Sequence, residues 1–598
     1  MCGIIGYIGN KANASDVLIS GLNKLQYRGY DSCGIALGVT SPYSWKKEVK
    51  VFRFVGPPEK LANKEYPKSW CGIGHTRWAT HGPVTEKNAH PHTSQDGEVT
   101  IVHNGVVENL EEVKCFLRDS GVELYGDTDS EALANLISLK GLEDGLGMVR
   151  GPFALAILFS SKPDKIFCIR RSSPLLIGLG EEDFFISSDV NALPLDVKRV
   201  VHLDDDRAVC VTHGGISEEL EFTVVHRDSS VSEVGSFSCY MEKEIFEQPK
   251  SIENSISGRF NLDSTNIKFG GVNLDTRINE HELSRVLFLG CGTAYHAGLL
   301  GKYFMQEIAG ICADAEFSSE YKYRKVPIEQ GTLAVAISQS GETADTLSAT
   351  KEIKPKALKT IAITNGVSSP ISREVDEGVY QRVGSEVSVA STKAFTSQAT
   401  LVLMLSILFG RRKGMSGHEA SKYIAQIKRI PELVEELLSN SASLKGIAES
   451  CKNSSAIDFL GRGYFYPIAL EGSLKLKELS YMSSHAYPSG EMKHGPLATV
   501  DKDKVYVFIA PQETLKEKNI SNMLEIKARE GKIFLIKQEG QDFPEDSYDF
   551  CFNIPDSQKY IQPILSVIPL QLFSMYIAQL KGYNIDRPRN LAKSVTVE

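Results

Sequence analysis

Nothing in the 598 residues sets up a disulfide framework: the eleven cysteines are scattered, and no C-x-x-C pair occurs. Such usage points to reduced thiols, and the chain is read as cytoplasmic. Positive charge is short as well. Lys and Arg number 66 against 75 Asp and Glu, a net charge of −9, which leaves no basic footprint for nucleic acid. No apolar stretch is read as reaching transmembrane length, and the N-terminus lacks a charged segment followed by an apolar one, so no membrane association is expected. A flexible Gly/Ser-rich tether is missing too. No Cys/His group has zinc spacing, since the nearest pair, His90 and His92, is only two apart. GCGT at 290–293 lacks both the GxGxxG spacing and an acidic ribose partner, which argues against a dinucleotide site. No metal or redox cofactor is therefore expected.

What is present is ordinary globular material, 42% hydrophobic and 24% charged, long enough for about four domains. The chain opens MCGIIGYIG. With Met1 removed, Cys2 would carry a thiol and a free α-amine on one Cα, a nucleophile with its own general base. Taken alone, Cys2 fits equally well as a small hydrophobe at the start of a buried strand. The neighbouring sequence bears on the choice. Short apolar runs alternate with turn residues over the first 235 residues. Helices are expected over 15–25, from Asn109 (where Asn109 and Glu112 have capping-box spacing), and after Asp129. This predicts an α+β layering of sheets covered by helices. Polar clusters end the strands: YRGYDS (27–32), HTRWATHG (75–82), NAHPH (88–92), HNG (103–105) and GDTDSE (126–131). Arginine can fork onto a carboxylate, aspartate can hold an ammonium, and Asn and Gly can stabilise an oxyanion. Together they suit capture and hydrolysis of an amino acid amide.

The stretch 236–282 reads as an amphipathic helix broken at Pro249, then a polar segment ending NLDTRINEHE. Beyond it the chain duplicates itself. VLFLGCGTAYHAG (286–298) matches IDFLGRGYFYPIA (457–469), LAVAISQSGET (333–343) parallels VYVFIAPQET (505–514), and TIAIT (360–364) answers KIFLIK (532–537). Near-continuous apolar strands between helices predict two α/β domains with parallel sheets, joined by a helix through ELVEELL. The copies diverge functionally. SQSGETADT (338–346) keeps hydroxyls and a glycine between strand and helix, a site for phosphate; the second copy has APQETLKEK instead. In the second copy Glu471, Lys475 and Glu478 share a helix face, either as a salt-bridged surface or as acid–base machinery, and the turn-rich stretch with His494 is expected to approach it. Pro588 is expected to end the last helix, leaving a tail that carries Lys593.

MCGIIGYIG, LQYRGYDSCGIA, GIGHTRWATHG, NAHPH, VHNG and DTDSE resemble the glutaminase domain of class II (N-terminal nucleophile) glutamine amidotransferases. GCGT, SQSGETADT, EVSVASTKAFTSQ, ALEGSLKLKE, GEMKHGPLA and RPRNLAKSVTVE resemble paired sugar isomerase (SIS) domains. The combination resembles the amidotransferases that pass glutamine nitrogen to fructose 6-phosphate at the first step of the hexosamine pathway. The resemblance implies an αββα glutaminase domain (1–235), a connector (236–282), SIS domains over 283–425 and 426–588, and a catalytic tail (589–598). It implies Cys2 as nucleophile and Asn104 with Gly105 as oxyanion hole. Arg77 and Asp129 would hold glutamine under a loop carrying Trp78, Thr80 and His81, with Trp78 gating an ammonia path. Ser338, Gln339, Ser340 and Thr343 would hold the phosphate, with Thr293 nearby, and Val389 and Ser391 would line the sugar pocket. Glu478 would be the isomerisation base, assisted by Lys475. His494, from the other subunit of a homodimer, would open the ring, and Lys593 would form a Schiff base. The family usually has serine where this chain has Ala294.

Overall fold

The structure is a computed structural model that describes residues 2–40, 47–79, 81–218, 220–225, 234–272 and 283–596. Thr80 and the connector's polar segment 273–282 lie outside the described residues. The chain divides into two compact units, Met1–Ser230 with Ser594–Glu598, and Val231–Lys593.

The first unit uses strands β1 (Gly3–Ile8), β2 (Cys71–Arg77), β3 (Val99–Gly105) and β4 (Phe153–Phe159), and helices α1 (Ala14–Leu25), α2 (Leu110–Asp119) and α3 (Asp129–Lys140). β1 and β2 lie side by side in an eight-stranded sheet, β3 and β4 in a six-stranded one. Every residue of β1 and β2 is buried, as expected of strands covered on both faces. Ile4 and Ile73 join Ala156 and Ile166 between the sheets. Ile5 packs outward with Leu18 and Leu22 of α1. Ile101 and Leu155 pack on Leu133 and Leu136 of α3. Three apolar layers thus separate helix, sheet, sheet and helix, the expected αββα order. α1 can lie this close because Gly21 has no Cβ; one there would meet Ile5 at 2.7 Å.

The capping box at Asn109 does not form. Its side chain makes no cap hydrogen bond. Instead its amide donates to Glu112 (3.1 Å) and to the Met148 carbonyl (2.9 Å), and its oxygen accepts from the Arg150 N–H (2.9 Å).

In the second unit, α4 (Tyr240–Phe246) and α5 (Gln248–Ile256) replace the single broken helix. The break falls at Glu247, and Pro249 sits in the first turn of α5, where a missing N–H costs nothing. Then come β5 (Arg285–Gly290), α6 (Thr293–Phe304), β6 (Thr332–Ser338), α7 (Ala344–Ile353), β7 (Lys359–Thr364), α8 (Lys393–Arg412) and α9 (Gly417–Ser439). The second copy runs β8 (Ala456–Gly461), α10 (Phe465–Ser480), β9 (Lys504–Ile509), β10 (Lys532–Gln538) and α11 (Gln562–Leu580). Two five-stranded parallel sheets result. One has the order Cys312–Phe317, β5, β6, β7, Glu377–Tyr380; the other has Ala486–Pro488, β8, β9, β10, Phe550–Ile554. The repeats read from sequence therefore occupy the same sheet positions.

Two expectations fail here. α8 and α11, 20 and 19 residues long, are apolar enough to pass for membrane spans, yet every residue in the apolar window of α8 and most of that in α11 are buried within the protein. They are core helices, apolar all round because they are covered all round. The last helix also ends at Leu580, well before Pro588; Gly582 at φ +72° turns the chain away.

α10 lies tight on its sheet because of Gly472. A Cβ there would meet Leu570 of α11 at 2.8 Å and the Phe459 ring of β8 at 2.9 Å. Gly472→Ala is expected to destabilise the second unit by about 1–3 kcal/mol through overpacking, measured as a lower denaturant midpoint at unchanged slope.

Candidate active site

In the first unit, the register that sets Gly3 opposite Thr76 brings Cys2 beside the end of β2. Its Sγ accepts a hydrogen bond from the Trp78 N–H (3.3 Å). Burial pushes the thiol up, against the opposing pull of the Trp78 N–H and Arg77. Cys2, Arg77, Trp78, His81, Gly105 and Asp129 all line one cleft, so most of the predicted glutamine residues do converge.

Each has an identifiable support. Asn104, near the end of β3, donates Nδ2–H to the Cys2 carbonyl (3.1 Å). Its Oδ1 lies 3.1 Å from His75 Nε2, which is also 2.9 Å from the His103 carbonyl. A carbonyl only accepts, so His75 carries its proton on Nε2 and fixes the Asn104 amide orientation. Gly105 is required at φ +147°, because a Cβ would stand 2.2 Å from the Pro152 carbonyl oxygen. Asp129, first residue of α3, accepts from the Val107 N–H (3.1 Å) and the Ser130 hydroxyl (3.4 Å). The Arg77 guanidinium donates to the carbonyls of His81, Gly82 (3.2 Å) and Pro83 (3.4 Å), so it fastens the loop as well as lining the cleft.

The clusters HTRWATHG, NAHPH and HNG mark His75, His90, His92 and His103 in the sequence without giving them a role, and two of them, His90 and His103, line the cleft as well. His90 Nε2 and His103 Nδ1 each lie 2.9 Å from Ser130 Oγ. With that hydroxyl proton directed at Asp129, both imidazoles donate. His75 and His90 stack with centroids 3.9 Å apart, and His92 meets His90 edge-on at 4.7 Å. Burial drives all four below the usual histidine range, His75 to about 3. They form a neutral polar floor.

In the second unit, the 338–343 turn follows β6. Ser338 Oγ lies 2.9 Å from Thr343 Oγ1 and accepts the Gly341 N–H (3.1 Å), while Ser340 Oγ accepts the Glu342 N–H (3.1 Å). Gln339 is fixed through its carbonyl, which takes the Asn365 N–H at 3.0 Å. The Glu471–Lys475–Glu478 face is no surface pattern. Lys475 Nζ is 3.3 Å from Glu471 and 2.8 Å from Glu478, and the Lys475 and Glu471 side chains are 1% and 0% exposed. Glu471 also accepts from Thr293 Oγ1 (3.0 Å) and lies 2.7 Å from His296 Nδ1. Burial would raise the Glu471 carboxyl, but Lys475 and His296 hold it down. Burial would lower Lys475, and the two glutamates raise it instead. Thr293 therefore joins the ionic group on α10. His494 is exposed at the end of a 3₁₀ turn (Ser489–His494) and makes no hydrogen bond to that group.

Lys593 is not on a loose tail. Its Nζ sits 2.5 Å from Glu386 Oε2, which also accepts from Ser391 Oγ at 3.1 Å. Val389 donates its N–H to the Asp586 carbonyl (3.0 Å), and the Asp586 carboxylate caps α4 through the N–H groups of Tyr240 (2.9 Å) and Met241 (2.8 Å). Glu386 was legible only as the acid inside EVSVAST. Glu244, buried on α4, gave no sequence signal.

A family model described as a SIS domain matches residues 281–408 and 451–580, and one described as a glutamine amidotransferase domain matches 56–231. The chain is 40% identical over 614 residues to a glutamine–fructose-6-phosphate aminotransferase (isomerizing) of Clostridium tetani, and 41% identical over 618 residues to one of Thermus thermophilus, covering 100% of both chains in each case. A solved C-terminal domain of glucosamine–fructose-6-phosphate aminotransferase from Francisella tularensis superposes with a TM-score of 0.57 at 34% identity, covering 60% of this chain and 100% of its own. With relatives matched end to end at this identity, the chain belongs to the glutamine–fructose-6-phosphate aminotransferase (isomerizing) family.

Proposed function

We propose that the chain converts fructose 6-phosphate and glutamine to glucosamine 6-phosphate and glutamate, as a cytoplasmic homodimer. Eleven cysteines, all unpaired, fit a reducing compartment. The work divides among a glutaminase (1–235), a connector (236–282), SIS domains (283–425 and 426–588) and a tail (589–598). Once Met1 is gone, the Cys2 amine takes the thiol proton, and the sulfur attacks the glutamine side-chain amide. Asn104 and Gly105 receive the oxyanion. The C–N bond breaks, ammonia departs, and water cleaves the thioester to glutamate. Arg77 holds the α-carboxylate and Asp129 the α-ammonium, beneath Trp78, Thr80 and His81.

Ammonia must then travel inside the protein, because water would protonate it and end its nucleophilicity. Ser338, Gln339, Ser340 and Thr343 hold the sugar phosphate, while Val389 and Ser391 line the sugar. His494 of a second copy opens the ring. Lys593 condenses with the ketose carbonyl, and ammonia displaces it. Glu478, oriented by Lys475, moves the proton between C1 and C2. The observation that carries this reading is Lys593 itself: its side chain is only 5% exposed and shares Glu386 Oε2 with Ser391.

Mixing protein, glutamine and fructose 6-phosphate is expected to yield glucosamine 6-phosphate; glutamate without amino sugar would sink the proposal. Cys2→Ala should abolish glutamate release while sugar-phosphate isomerisation stays measurable, and amino sugar formed from glutamine at the normal rate would disprove the nucleophile. Lys475→Met should cost about 3–5 kcal/mol in chemical denaturation, since it strands the Glu471 charge in the interior.

A further inference from the structure

Imine formation needs a neutral amine, and the Lys593 Nζ sits against a carboxylate. Its partner Glu386 has no exposed side-chain surface, and Lys593 has 5%. Glu386 cannot swing away. Its Oε1 accepts the N–H groups of Thr392 (2.9 Å) and Ala394 (3.0 Å) at the start of α8, and its Oε2 is shared by Lys593 and the Ser391 hydroxyl. The backbone just beyond it is pinned from another element: Glu244 of α4 accepts the N–H groups of Val387 (2.5 Å) and Ser388 (3.2 Å). The other ionisable groups around this centre are Glu244, Lys393 and Glu247, and the last two pair with each other at 2.8 Å. Among the described residues, Glu386 is the direct ionic partner of Lys593.

We infer that Glu386 stores Lys593 as ammonium in the resting protein and takes its proton when the amine attacks the ketose carbonyl. The inference rests on the assignment of Lys593 as the imine-forming lysine. The step balances. Glu386 carboxylate accepts one proton from the ammonium, and the freed nitrogen pair forms a C–N bond to C2 while the carbonyl π electrons pass to oxygen. That oxygen takes two protons, the one Glu386 received and a second from nitrogen, and leaves as water; the third N–H proton stays on nitrogen, giving the protonated imine and leaving Glu386 again a carboxylate. Glu386 acts as the shuttle, receiving the first proton and returning one to the departing oxygen. Transfer inside a buried pair erases two charges at once, so the desolvation that penalises each ion favours the neutral pair. Burial would raise the Glu386 carboxyl; Lys593 and the N–H groups of Thr392 and Ala394 hold it low. The resting centre is thus an ion pair, and a sugar that excludes water from Lys593 tilts it towards carboxylic acid and amine.

The test is borohydride trapping of the imine in the full chain at saturating fructose 6-phosphate, followed by mass mapping of the modified lysine, from pH 6 to 9. The wild type should trap at Lys593 with a shallow profile, because its base is internal; the one inflection expected is that of Glu244, whose carboxyl burial and Glu386 push up to about 8. Glu386→Gln keeps an oxygen for Thr392 and Ala394, so α8 keeps its cap. It should trap about 100-fold more slowly at pH 7, rising about tenfold per pH unit as the neutral amine fraction grows. Trapping as fast as wild type at pH 7, or faster, would overturn the inference, because the carboxylate would then be a counter-ion alone. Should Glu386→Gln melt at assay temperature, Glu386→Asp is read instead. A smaller loss with a shallow profile supports the role, and a steeply rising profile overturns it. Unchanged trapping in Lys593→Arg would instead remove the lysine assignment beneath it, a result separable from any Glu386 outcome.

Discussion

A carboxylate with no exposed surface can survive only if everything around it is arranged to keep it charged. Glu471 is such a group, and its partners come from both halves of the duplicated unit: Lys475 from its own helix, Thr293 and His296 from α6. Loss of Lys475 strands the Glu471 charge in a medium that punishes it severely. The two α/β copies are therefore locked in register by electrostatics as well as by the shared apolar core that runs through Phe288, Phe304, Phe459 and Leu570. The group also fixes Lys475, and through it Glu478.

The two chemical centres solve opposite problems. Around Cys2 four histidines are buried so tightly that they stay neutral; His75 orients Asn104, while His90 and His103 hold Ser130, which donates to Asp129. In the second unit the protein accumulates charge and pairs it, at Glu471–Lys475–Glu478 and at Glu386–Lys593. Amide hydrolysis by a thiol needs a shaped polar cleft, whereas moving protons around a sugar needs acids and bases already in place.

The sequence was most legible where the signal is local and periodic. The paired apolar strands, the GCGT and GRGY turns and the SQSGET loop could be read because strand, turn and helix follow one another within about fifteen residues. The Cys2, Arg77, Asn104 and Asp129 cluster was legible through strand-end motifs, although nothing in the residues said that Arg77 also anchors carbonyls 81–83. Local reading failed wherever a distant partner decided the outcome. Asn109 had the right spacing to Glu112 but was captured by Arg150 and Met148. α8 looks like a membrane span in isolation and becomes a core helix only because other elements cover every side of it. Glu244 and Glu386 stand 142 positions apart along the chain, beyond any spacing rule.

Asp586 joins three segments at one residue: its carboxylate holds the start of α4, and its carbonyl holds the loop that carries Val389. None of the three can be re-aimed alone, because shifting the backbone at 586 would unseat two amide hydrogens at one neighbour and a third at another. Strain introduced at any arm of this junction is thereby shared among all of them, and the stretch leading to Lys593 behaves mechanically as part of a stiff bracket.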